Sequence, residues 1–107
     1  MFNVRLRVFA SQPEALPSIA NAIYNHLASK GEVAKISSGM FVAAVNGVLI
    51  KVGLSRTILG VPMRFDTHQI SLVLVLESMD LSNLIKVLQG LLEVVSSYPS
   101  VRVEVEI

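Results

Sequence analysis

The sequence predicts an α+β two-layer sandwich, a mostly antiparallel sheet of four to six strands with two helices on one face, in the order β-α-β-β-β-α-β of a ferredoxin-like or split βαβ variant. Three observations predict it. Both ends of the chain alternate apolar and polar residues as half-buried strands do, and two internal stretches switch to a helical period. Between two β-branched runs stands Asn46-Gly47, whose residues tolerate the positive φ of a hairpin turn. With 107 residues and no linker, repeat or low-complexity segment, residues 1–107 read as one domain, large enough to bury a core without disulfides or metal.

From Asn3 to Phe9 the alternation is strict, with Val4, Leu6 and Val8 on one face and Asn3, Arg5 and Arg7 on the other. Ser11-Gln12-Pro13 ends this strand. A helical period follows from Glu14 through Leu16, Ile19, Ala20, Ile23 and Leu27, with Ser11 or Ser18 as candidate caps and Pro17 confined to the first turn. Lys30-Gly31 gives a basic-then-glycine stop. Glu32–Ser37 reads as a short strand, and 41–45 and 48–52 as the arms of the hairpin. Over 53–67 the periodicity fades among Arg56, Gly60, Pro62, Arg64 and Asp66, which predicts a loop with a short extended piece at 58–63. The strand His68–Glu77 is apolar on both faces, Ile70, Leu72, Leu74 and Leu76 on one and Val73 and Val75 on the other, as expected in the middle of a sheet. After a turn at 96–100, Val101–Ile107 alternates again with Arg102, Glu104 and Glu106 outward. Side-by-side first and last strands would set Arg5 and Arg7 against Glu104 and Glu106.

The second helix begins after Asp80, whose carboxylate suits the open amides of the first turn. Its polar positions Ser82, Asn83, Lys86, Gln89, Gly90 and Glu93 fit within an arc of roughly 120°. The remaining positions are all apolar, and a single sheet needs a stripe of only about 100° upward. The surplus is therefore expected to meet a subunit or partner unless loops of the same chain cover it. Leu84, Ile85, Val87, Leu88, Leu91 and Leu92 are the candidate partner-binding residues, with Leu88 expected in the core and Val87 and Leu91 on the surplus flank.

Hydrophobic content of 52% against 16% charged is apolar for a soluble domain, where about 45–50% and about 25% are usual. That too argues for covered surface. A net charge of +1 gives no general field for nucleic acid or an acidic membrane. The chain has no cysteine, and arginines interrupt the apolar residues of its N-terminal stretch, so a cytoplasmic protein without membrane association is expected. His26 and His68 lack partners at metal or triad spacing, though Asp66-Thr67-His68 would supply two ligands if a dimer doubled them. The glycines follow no phosphate-loop spacing, no serine sits in a nucleophile elbow, and Glu104 and Glu106 are better explained by charge pairing than by acid–base work. A non-enzyme without cofactor is expected.

Ala20-Asn21-Ala22-Ile23-Tyr24-Asn25-His26-Leu27 and the run from Leu74 through Glu77 and Asp80-Leu81 into Leu84–Leu92 together resemble the small dimerisation subunit of the KEOPS complex, which makes threonylcarbamoyl-adenosine in transfer RNA. The chain carries Leu84-Ile85 and Gln89-Gly90 where that family usually has Leu-Arg and Asn-Ser, and it is longer. The resemblance implies a non-catalytic homodimer whose long helix, here with Leu84, Ile85, Leu88, Leu91 and Leu92, docks a catalytic subunit and touches tRNA only indirectly or weakly.

A homodimerising or scaffolding subunit is accordingly the leading expectation. Two others stand beside it. One is a small nucleic-acid-binding domain using Lys51, Arg56 and Arg64 on phosphates, although only Phe65 is there to stack a base. The other is a regulatory domain that binds a small molecule in a dimer crevice lined by the 53–67 loop.

Overall fold

The structure, a computed structural model, describes residues 1–37, 40–58 and 68–106. Strand β1 (Phe2–Ala10) leads through a 3-10 turn (Pro13–Ala15) into helix α1 (Leu16–Ala28). Four strands follow, β2 (Glu32–Ser37), β3 (Met40–Val45), β4 (Val48–Ile58) and β5 (His68–Ser78), then helix α2 (Leu81–Ser96) and β6 (Val101–Glu106). They form one six-stranded sheet in the order β2-β3-β4-β5-β1-β6, antiparallel throughout. This is the α+β sandwich that the alternation predicts.

Core side chains come from one face of the sheet and the inner stripes of both helices. Leu6, Val8, Ile50, Leu72, Leu74 and Leu76 are almost fully buried from the strands, with Leu16, Ile19, Ile23 and Leu27 from α1. Helix α1 is also seated by Tyr24, whose ring meets Phe41 of β3 edge-on at a centroid distance of 5.2 Å. The Asn46-Gly47 turn has φ of 50° and 76°, the doubly left-handed geometry that closes a two-residue hairpin with the right twist. Strand β5 lies between β4 and β1, as its two apolar faces require.

Two local expectations are corrected. Residues 53–58 are not loop: β4 continues to Ile58, pairing Ser55 with Ser71 and Arg56 with Ile70. Backbone pairing to the long central strand overrides the fading side-chain period there. The remainder of the expected loop, and of its extended piece at 58–63, lies outside the described residues. Neither Ser11 nor Ser18 caps α1; the N-cap is Ala15, with no side-chain hydrogen bond, and the 3-10 turn delivers the chain by an Ala15 N–H to Gln12 carbonyl bond of 2.9 Å. Pro17 does fall in the first turn.

Gly31 serves a different purpose from the one its position suggests. It has no left-handed φ, and its N–H bonds the Leu27 carbonyl at 2.9 Å. A Cβ there would overlap the backbone oxygen of Ala44 and stand 3.0 Å from Val45 Cγ2. Glycine is needed because β3 passes against the backbone where α1 gives way to β2.

The first and last strands do pair, with Arg5 opposite Glu106 and Arg7 opposite Glu104. Across that ladder the Arg7 side chain takes the diagonal partner, its Nε 3.4 Å from the Glu106 carboxylate.

Candidate interaction surface

Helix α2 is set at its start by a small polar lock. The Asp80 carboxylate accepts from the Asn83 N–H at 3.1 Å, as the sequence predicts for its cap. Buried Ser78, at the end of β5, accepts from the Asp80 N–H at 3.0 Å and donates its hydroxyl proton to the Gly47 carbonyl at 3.1 Å. One hydroxyl thus joins the central strand, the hairpin turn and the entrance of α2.

From this fixed start the helix buries Leu84, Val87, Leu91 and Val95. Three of the six candidate partner residues, Leu84, Val87 and Leu91, therefore belong to the core and cannot form a surface. Leu88, expected in the core, is only half-buried, as is Leu92, and Ile85 is exposed. The physical reason lies at Gly90. A Cβ there would stand 3.1 Å from His26 Nε2, so α1 packs against the arc of α2 that looks polar in sequence. That contact turns the row Leu81, Ile85, Leu88 and Leu92 away from α1 and off the sheet's centre.

The flank is 46% exposed at Leu81 and 44% at Ile85. Beside it lies Phe2, 44% exposed, which continues the core-facing alternation of Val4, Leu6 and Val8 one step past the helix cover. An open groove of about 470 Å³ runs between them, lined by Phe2, Val4, Leu81, Leu84, Ile85 and Leu88 together with Met1 and Asn3. Leu81 was visible in the sequence as an apolar position of α2. Phe2 was not singled out, although its parity with Val4 is the signal that would have found it.

Among the described residues, the sheet face opposite the helices is a second surface without cover. Val73 and Val75 of β5 are half-buried there, in an open hollow of about 540 Å³ that also takes in Val42, Gly53, Met40 and Ile36, with Arg5, Arg7 and Lys51 around it.

Of the basic residues Lys51, Arg56 and Arg64, only Lys51 has a described side chain. Lys51 stands 3.7 Å from the Glu77 carboxylate, the backbone of Arg56 in β4 pairs with Ile70, and Arg64 lies outside the described residues. His26 faces Gly90 on the inner side of α1, while Asp66 and Thr67 of the Asp66-Thr67-His68 triplet lie outside the described residues. Among the described residues no cluster of three metal-ligating side chains occurs, and no helix is long and apolar enough to cross a membrane. No protein-family model matches the chain, and no curated protein matches it either.

Proposed function

We propose that the chain is a non-catalytic, self-associating scaffold subunit that works in the cytoplasm and docks a protein partner on the groove beside α2. The observation that carries this reading is the row of large apolar side chains, Leu81 and Ile85 of α2 and Phe2 of β1, exposed together along one groove. Scattered apolar residues are ordinary on a protein surface, whereas a contiguous row along a groove is what an amphipathic partner helix covers. In its sharper form the partner is the catalytic subunit of a KEOPS-like tRNA-modification assembly. Support for that form comes from the two similar segments, which fall on α1 and on β5 with α2, and from the position of Ile85 and Leu88 within the second of them.

Co-expression with the KEOPS catalytic subunit of the same organism tests this form. A stoichiometric complex is expected on size exclusion. Ile85→Glu should leave the fold and its melting temperature intact, because the side chain is already exposed, and should weaken the complex at least about tenfold by bringing a carboxylate into an apolar contact. Failure of the native chain to bind would remove the KEOPS-like form. Undiminished binding by the variant would move the docking site elsewhere.

A further inference from the structure

We infer that β6 is a self-pairing edge, through which two copies of this chain join their sheets about a two-fold axis at Val103. The inference rests on the self-association proposed above and says where it occurs. Among the described residues β6 is terminal in the sheet order and has β1 as its one hydrogen-bonded neighbour, so its outer side presents backbone N–H and C=O groups to which no described strand is paired.

Val101-Arg102-Val103-Glu104-Val105 is complementary to its own reverse. Laid antiparallel about Val103, a second copy sets Val101 against Val105, Arg102 against Glu104 and Val103 against itself, and does so twice by symmetry. The faces agree as well. Arg102 and Glu104 pair with Phe9 and Arg7 of β1 and so stand on the open face, while Val101, Val103 and Val105 pair with Ala10, Val8 and Leu6 and stand on the helix side. A two-fold axis perpendicular to the sheet preserves both faces, so the valines extend the apolar layer and the charges meet opposite charges. Val105, 49% exposed in the single chain, would be covered.

The charged pair is ready for exchange. Arg102 and Glu104 lie 3.5 Å apart along their own strand, both side chains more than half exposed, and the Arg102 guanidinium is held over the Phe9 ring at 4.6 Å. The opposite edge offers no such match. In β2 the register slips between Lys35 and Ser37, a bulge of the kind that turns an edge away from pairing, and Lys35 lies over the Tyr24 ring at 4.8 Å. No face-preserving self-pairing of Glu32–Ser37 brings opposite charges together. In β6 neither a bulge nor a proline interrupts the six residues.

A charge swap tests the interface, with the dimer dissociation constant read by sedimentation equilibrium. Arg102→Glu and Glu104→Arg should each weaken the dimer roughly tenfold, since each converts both symmetric contacts to like-charge pairs. The double variant carrying both changes should return it close to the native value. Glu104→Arg is the control for loss of the Phe9 contact, which only Arg102→Glu removes, and circular dichroism checks that each variant is folded. Singles that leave the dimer unaltered, or a double variant that is not rescued, would overturn pairing through β6 while leaving self-association standing. A native chain that stays monomeric would overturn both.

Discussion

Replacing Leu91 by glutamate is expected to unfold the protein. Leu91 is fully buried in the middle of α2 and shares the core with Leu84 and Val95 of its own helix and with the central strands. The substitution removes an apolar side chain worth about 2–5 kcal/mol in such a site and places a carboxylate in an inner stripe otherwise made of Leu84, Val87 and Val95, which carries no charge to meet it. Together these approach or exceed the net stability of an ordinary domain, about 5–15 kcal/mol. Circular dichroism should show no cooperative thermal transition. A folded variant of altered solution mass would mean that α2 is turned about its axis from the orientation described here, bringing Leu91 to the surface.

Gly31→Ala is the second large effect. At most glycines that end a helix, alanine is costly because φ is positive, but Gly31 has no such φ and its cost is steric. The added methyl would collide with the Ala44 backbone oxygen, and Val45, nearly fully buried, has little room to retreat. Moving β3 away would also disturb the β2–β3 pairs Glu32 with Ala44 and Val33 with Ala43. A loss of about 2–3 kcal/mol is expected, the upper part of the range for overpacking, because the blocking atom is backbone. The urea midpoint at unchanged slope measures it. A loss of a few tenths of a kcal/mol would show that the strand yields easily.

These two residues mark where sequence reading stopped. The fold was legible wherever a local pattern has one structural meaning. Asn46-Gly47 allowed only a tight hairpin, Asp80 only a helix start, and Val73 and Val75 opposite Leu72 and Leu74 only a central strand. The stretch of β4 from Ser55 to Ile58 was not legible, because its backbone is paired with β5, a long-range contact that local periodicity does not display. The rotation of α2 was not legible either. With apolar residues over more than half its circumference, several orientations bury a comparable stripe, and the choice is made by the close approach of His26 to Gly90. Hence Val87 and Leu91 lie inside and Leu81 and Ile85 outside, the reverse of the expectation for Val87 and Leu91, with Leu88 half-buried at the edge of the core, although the excess itself was read from the sequence alone. The partner of Lys51 was not legible for a related reason. Lys51 sits across from the acidic end of β5, a contact that linear spacing cannot display.

On the proposed reading, the groove beside α2 meets a partner protein and the β6 edge meets a second copy of the chain. Both the scaffold role and the β6 pairing require self-association. The most direct test is the molar mass in solution, by light scattering coupled to size exclusion, over a wide range of protein concentration. The mass of two chains, constant across that range, is the predicted result. The mass of one chain at every concentration would contradict it.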